Sequence, residues 1–483
     1  MIFFDIAKSS GIITALNLIK RFLSVFSLIV LARLLDPYDF GVAAILTIVL
    51  FIFEKIASTG ALQYILQLDK VDDVDLNSSW SLDFLIKGSL FIVLVACSEF
   101  LAHFYGDPSI RLAFIVVSFN LIVKSLNNPG IHLQKKSFNY KSIFYIGIIQ
   151  KLSSTVVCIS IAYFYQSYWA LIIADLLSNV IMMLGTYYFC SYRPKFDFTN
   201  VAKQWTFSKW IMLKSMVSAV KGQIDAIWIS KLFPVESLGF FHVARNLSMM
   251  ASQEVINPAM EPLISAFSKV GHKKNDEFID KFCVTLFALA FIIIPLSFGI
   301  ALFSVPLVQL VLGDGWEVTG ELMQVMSLFV FSFSMMIFFS NIIISKGVSK
   351  PIFIIDSMSF FLTVITFLIL SFEPVLSDFV LARSIISLFT LCLAIGFSCR
   401  VANIDFKCIF LSVSPILASV SFATLTMFFI ESYFSLHVIF SVAIFMACYF
   451  MYLVVMYLSF FNRFHFFNKI FKRLEVYYFA WKN

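Results

Sequence analysis

Long apolar runs separated by short polar stretches dominate this chain. A helix needs roughly 20 apolar residues to cross the hydrocarbon core of a bilayer. By that measure about fourteen runs qualify, at approximately 11–34, 41–66, 80–101, 110–130, 141–164, 168–190, 209–232, 239–266, 279–302, 321–345, 351–371, 378–399, 408–430 and 436–461. The pattern predicts an all-α polytopic membrane protein. The widest outer loop lies around 303–320 and the widest inner one around 191–208. Neither has room for a catalytic domain, so any chemistry takes place within the helical bundle and no catalytic residue is assigned. The opening MIFFDIAKSS lacks a signal-peptide layout, and no small-residue cleavage site follows the first run. That run therefore reads as a retained helix.

Loop charge orients the bundle, because Lys and Arg concentrate on the cytoplasmic side. With the N-terminus inside, the inner loops carry Lys135, Lys136, Lys141, Arg193, Lys195, Lys203, Lys269, Lys273, Lys274, Lys346, Lys350, Arg400 and Lys407. The tail adds Arg463, Lys469, Lys472, Arg473 and Lys482. The outer loops hold Asp36, Asp39, Asp107, Glu236, Asp314, Glu317, Glu373, Asp378 and Glu431, with few basic residues. The acidic stretch DKVDDVD (69–75) breaks the pattern, but acidic residues count little in this rule. Both termini are expected on the cytoplasmic side of the membrane.

The chain also repeats. RLLDPYDFG (33–41) aligns with KLFPVESLG (231–239) without a gap, at a constant offset of 198 residues. YGDPSIR (105–111) and LGDGWEV (312–318) form a second matched pair, each after the third helix of its half. Internal repeats of this kind build many secondary transporters. They predict two six-helix lobes, 1–195 and 196–400, and a segment 401–483 with two more helices and a basic tail. LARLLDPYDFG, DAIWISKLFPVESLGFFHVARNLSMM (225–250) and GDGW (313–316) resemble the polysaccharide-transport branch of the multidrug/oligosaccharidyl-lipid/polysaccharide exporter superfamily. The resemblance implies two bundles around a central cavity that opens alternately to each side. It implies an undecaprenyl-diphosphate-linked oligosaccharide as cargo: an O-antigen, capsule or exopolysaccharide unit.

Composition agrees with the membrane reading. The 483 residues are 60% hydrophobic and 13% charged, against about 45–50% and 25% in soluble domains. The formal charge of +6 could point to nucleic acid, but the basic residues sit in short loops rather than on one face, which excludes that partner. The eight cysteines lie in or at the ends of apolar runs and form no CxxC pair, so they read as small buried hydrophobes, and no metal site is expected.

Ionisable groups at bilayer depth are candidates for function. Thr14, Asn17, Arg21, Ser24 and Ser27 share one face of the first helix, with Lys20 beside them. Glu54 and Lys55 lie in the second helix, with Arg21 and Glu54 at nearly the same depth, able to pair if those faces meet. The seventh helix carries Lys221 and Asp225 one turn apart, and the eighth carries Arg245, Glu254 and Glu261, with Pro258 and Pro262 expected to interrupt it. Lys20, Arg21, Lys55, Lys221 and Arg245 are the candidate phosphate-binding cations. Arg offers a planar fork to phosphate oxygens, and Lys a point charge. Glu54, Asp225, Glu254 and Glu261 are candidates to balance that charge or to take up a coupling proton or sodium ion, the one cofactor considered. Structural readings stand beside these: Lys20, Lys87 and Asp83 can snorkel to the interface, Lys221 and Asp225 can form a purely structural pair, and Ser327, Ser332, Ser334 and Ser340 suit helix packing.

Three rival functions remain. A membrane polymerase or ligase would need a catalytic loop, and DKVDDVD has no His partner. A drug exporter of the same superfamily would favour an acidic cavity. A peptidoglycan-precursor flippase also carries a lipid diphosphate, so charge does not separate it, and the local motifs favour the polysaccharide branch. The expected partners are membrane lipid, the lipid-linked oligosaccharide, and a polysaccharide polymerase with its chain-length protein.

Overall fold

The computed structural model describes residues 2–68, 70–137, 139–270, 275–348, 350–433 and 437–460; the side chains of 2–10, 251, 253–266, 268–270, 275–277, 457, 459 and 460 lie outside that description. Among the described residues every regular element is a helix. The chain forms two compact units, Met1–His242 and Val243–Asn483. The first contains α1 (Ile2–Ala32), α2 (Pro37–Ile56), α3 (Ala61–Gln67), α4 (Asp73–Ala96), α5 (Ser98–Phe104), α6 (Arg111–Ser125), α7 (Gly130–Lys136), α8 (Lys141–Tyr165), α9 (Trp169–Phe189) and α10 (Val201–Leu232). α11 (Val235–Val270) begins in the first unit and ends in the second. The second continues with α12 (Asn275–Leu312), α13 (Glu317–Ser345), α14 (Lys350–Leu370), α15 (Leu376–Ala402), α16 (Phe406–Tyr433) and α17 (Val438–Phe460).

Among the described residues, twelve spans are long and apolar enough to cross a membrane. α10 and α11, at 32 and 36 residues, also have the length at about 1.5 Å per residue, but they are more polar and are not among the twelve. They coincide with the seventh and eighth expected helices. Two expected helices are broken. The run 41–66 splits into α2 and α3 at Ala57–Gly60, where Gly60 adopts a left-handed φ of 64°. The run 80–101 splits into α4 and α5 at Cys97. By contrast, α11 continues as one helix through 258 and 262, so the expected interruption there is not found.

Local chemistry explains the acidic exception to the charge rule. Asp72 precedes α4, and its N–H donates to the Asp75 carboxylate at 3.3 Å. Carboxylates at a helix N-terminus meet unpaired N–H groups and the positive end of the dipole. DKVDDVD is thus a helix start. Asp36 and Asp39 cap α2 in the same way, at 3.3 Å, with Pro37 in the first turn.

The polar connector 191–205 is strapped along the first two turns of α4. Asn77 Oδ1 accepts from Lys195 N and from Tyr192 Oη, both at 2.7 Å, and Ser81 Oγ accepts from Asp197 N at 3.0 Å. Asn200 Nδ2 donates to Asp75 at 2.9 Å. Asp197 accepts from Thr199 through both its N–H and its hydroxyl, which holds the carboxyl below its ordinary range.

The core of the second unit is built of Phe: Phe278, Phe282, Phe338, Phe339 and Phe445 are all at most 2% exposed. Serines knit α13 to α15, with Ser332 Oγ donating to Ser387 Oγ at 2.8 Å and Ser398 Oγ to the Phe339 carbonyl at 3.2 Å. The packing role read for Ser332 therefore holds, as helix interfaces in membranes favour small residues. Cys283 and Cys408, with Cα atoms 6.6 Å apart, form a disulfide between α12 and α16, which corrects the reading of all eight cysteines as inert.

Candidate functional site

At one end of the first unit, three of the four sequence landmarks meet. The Tyr38 hydroxyl donates to Asp107, joining the start of α2 to YGDPSIR. Asp107 also accepts from Ser109 N at 3.0 Å and Ser109 Oγ at 2.6 Å; burial would raise its pKa, but these hydrogen bonds outweigh it and hold the carboxyl below its ordinary range. Asp39 Oδ1 accepts from Tyr168 N at 2.8 Å, tying α2 to the turn before α9. Lys231, in the second landmark, donates to the Phe104 carbonyl at 3.0 Å and lies over the Phe104 ring.

The start of α2 and the start of α11 pack through a reciprocal contact. A Cβ on Gly41 would overlap the Val235 carbonyl, and a Cβ on Gly239 would overlap the Pro37 carbonyl and lie 2.9 Å from Gly41 N. Pro37 and Val235 are offset by 198 residues, and so are Gly41 and Gly239. Residue 37 thus meets 239 and residue 235 meets 41, the self-complementary pattern of a two-fold contact, here between repeats of one chain. Backbones approach this closely only where side chains are missing.

Deeper in the unit lies a polar cluster. Lys124 Nζ on α6 donates to Glu54 Oε1 on α2 at 2.5 Å. Asn120, one turn before Lys124, donates through Nδ2 to Asp175 on α9 at 3.0 Å and accepts at Oδ1 from Asn179 at 2.8 Å. Glu54 therefore has Lys124 as its ion-pair partner in place of the expected Arg21. The reason is packing: α2 lies on α6, whereas α1 lies on α8. The polar residues inside α6 and α9 carried the signal, as amides and a carboxylate within apolar runs.

The candidate cations distribute differently. Lys20 and Arg21 are half-buried on α1. The Lys20 stem reaches α8 at Gly147, within 3.0 Å of where a Cβ would stand. One turn on, on the same face of α8, is Lys151. Lys55 is exposed, 5.2 Å from the Phe51 ring centroid. On α10, Asp225 is buried and Lys221 half-buried one turn away; Arg245 on α11 is half-buried. Glu254 and Glu261 fall outside the residues whose side chains are described.

The fold is an all-helical, multi-pass membrane architecture with a repeat-related contact at one end and paired charges at bilayer depth. The family described as "Polysaccharide biosynthesis protein" matches residues 30–321, more than half of the chain, and the chain belongs to that family. It is 20% identical over 309 residues to the lipopolysaccharide biosynthesis protein WzxC of Escherichia coli (strain K12), covering 63% of this chain and 62% of that one. It is likewise 20% identical over 304 residues to the succinoglycan biosynthesis transport protein ExoT of Rhizobium meliloti (strain 1021), covering 62% and 61%. The matches thus span about three fifths of these relatives' lengths. Among solved structures, a lipid II flippase, MurJ, in an inward closed conformation superposes with a TM-score of 0.75 over 92% of this chain and 99% of its own, at 13% identity, which establishes a shared fold. The resemblance read from RLLDPYDFG and KLFPVESLG is borne out.

Proposed function

We propose that this protein flips an undecaprenyl-diphosphate-linked oligosaccharide, destined for O-antigen, capsule or exopolysaccharide, from the cytoplasmic to the outer face of a bacterial inner membrane by alternating access. Its family and the named roles of its relatives in polysaccharide biosynthesis and transport support the cargo class. The observation that carries the reading is the packing of the Lys20 stem against Gly147, on the face of α8 that carries Lys151 one turn on, with Arg21 next to Lys20 in sequence. Cations at membrane depth favour an anion beside them. A lipid diphosphate supplies at least two negative charges, and cations replace the hydration it loses while crossing. Arg21 and, in the second repeat, Arg245 are assigned to its phosphate oxygens. Glu54, paired with Lys124, and Asp225 balance charge when the cargo is absent.

Replacing Arg21 or Arg245 with Ala is expected to lower surface delivery of the polysaccharide at least tenfold at unchanged protein level. Lys at either position should restore part of it, keeping the charge but losing the fork. Normal delivery by the Ala variants would remove the cationic-site assignment at that position. Orientation is tested separately. A reporter active only outside the cytoplasm should be silent when fused after Asn483 and active near Gly315. The reverse pattern would overturn the inside placement of both termini.

A further inference from the structure

The first unit contains a cavity of about 310 Å³ among α2, α3, α4, α6 and α7. Two ion pairs stand in its wall. Glu54 is held by Lys124 at 2.5 Å, and Asp83 by Lys87 at 2.5 Å, with the Thr59 hydroxyl donating to Asp83 at 3.0 Å. Three further residues of its lining, Trp80, Asn127 and His132, carry polar side chains. In each, one atom (Nε1, Oδ1 and Nδ1) is turned away from solvent and makes no hydrogen bond. The lining thus offers polar groups beyond the two ion pairs, from three separate segments.

The charge of the wall selects among ligands. Two ammonium groups are matched by two carboxylates. His132 adds no charge near neutrality, because burial first, and the nearby Lys135 and Lys87 next, push its pKa down to about 4. A phosphate group would find no net positive charge, and a metal ion would have to displace an ammonium from each carboxylate. The paired groups still have unused capacity: each ammonium has three N–H donors and each carboxylate about four acceptor sites. An uncharged molecule with several hydroxyls uses both. Volume sets the size. The cavity lies at the small end of ligand pockets, which begin near ~300 Å³. That is room for one ring.

We propose that this cavity is a subsite for a single uncharged sugar ring of the cargo, distinct from the cations assigned to its diphosphate; the inference rests on the lipid-linked oligosaccharide reading above. Asn127 and His132 are its specificity residues, each matched to a hydroxyl of the ring.

The test uses the purified full chain and competition against a fluorescent undecaprenyl-diphosphate analogue. The competitors are bare undecaprenyl diphosphate and the same lipid bearing one glucose, galactose, N-acetylglucosamine or N-acetylgalactosamine. At least one glycosylated lipid should bind the unaltered protein at least tenfold more tightly than the bare lipid. Asn127→Leu and His132→Leu should each reduce that preference severalfold while leaving bare-lipid affinity unchanged. Neither should lower the melting temperature, because each removes a group that has an unsatisfied atom. Gln63→Trp, at an exposed position of the lining, should block the cavity with the same selective loss and without touching the buried groups. If no glycosylated lipid outcompetes the bare one, or if the preference survives in all three variants, the subsite is overturned while the cargo reading stands. If neither kind of lipid binds, the cargo reading itself fails.

Discussion

Alanine at Gly41 or at Gly239 is expected to abolish export, with the protein made and inserted at its normal level. The first methyl group would occupy the space of the Val235 carbonyl and the second that of the Pro37 carbonyl. Backbone atoms cannot rotate away as a side-chain tip can, so the starts of α2 and α11 must separate. On the proposed orientation these lie at the outer face, and a protein unable to bring them together cannot close outward and reload from the cytoplasm. Both substitutions disrupt one contact, so the double variant should be no worse than either single one, as expected of coupled sites. Two measurements check this. Surface polysaccharide should vanish in all three variants. A membrane-impermeant thiol reagent should label a cysteine at Phe40, buried in the closed contact, far faster in the Gly239→Ala background than with Gly239 intact. The converse arrest is also expected: a short crosslinker between cysteines at Phe40 and Phe240 should stop export, and cleaving it should restart it. Full export by both alanine variants, or export with the link intact, would show that this contact does not gate transport.

The second large effect concerns Glu54 and Lys124. Removing one partner of this half-buried ion pair leaves the other charge uncompensated, at a cost below the about 3 kcal/mol of a fully buried pair. Glu54→Gln and Lys124→Met should each lower the melting temperature of the purified protein markedly, and the double variant should recover most of the loss. Export should not recover with it, because the charge-balancing role proposed for Glu54 is gone. A double variant that regains both stability and export would make the pair a structural tie. Neighbouring Asp175, Asn120 and Asn179 supply a neutral comparison: Asn179→Ala removes the hydrogen bonds to Asn120 and to the Asp175 carbonyl and should cost about 1–3 kcal/mol with no change in charge.

Much of this architecture is legible along the chain. A helix that crosses a bilayer must satisfy its backbone internally and present apolar side chains for its whole length, so runs such as 141–164 and 168–190 are readable to within a few residues of α8 and α9. Breaks inside an apolar run are harder. Gly60 and Cys97 interrupt α2–α3 and α4–α5 inside runs that stay apolar on both sides, because a left-handed residue or a shifted cap costs little when neighbouring helices supply the packing. Prolines mislead in the opposite direction: 258 and 262 lie within one continuous helix, α11.

Partners are the part that only the tertiary structure decided. The sequence by itself determined the helices, the repeat at an offset of 198 and which charges enter the membrane, since each depends on local composition or on comparing one stretch with another. It placed Gly41 and Gly239 at equivalent turns, yet only the packing of α2 against the start of α11 set residue 37 on 239 and residue 235 on 41. It matched Arg21 to Glu54 by depth, but depth fixes one coordinate of three. The rotation of each helix and the choice of neighbour gave Glu54 to Lys124 and packed the Lys20 stem against Gly147. The same freedom hid the disulfide of Cys283 and Cys408, 125 residues apart, and the cavity that collects Trp80, Asn127 and His132 from three segments. Hydrophobic periodicity reports how a helix meets lipid; it carries no term for which helix stands behind it.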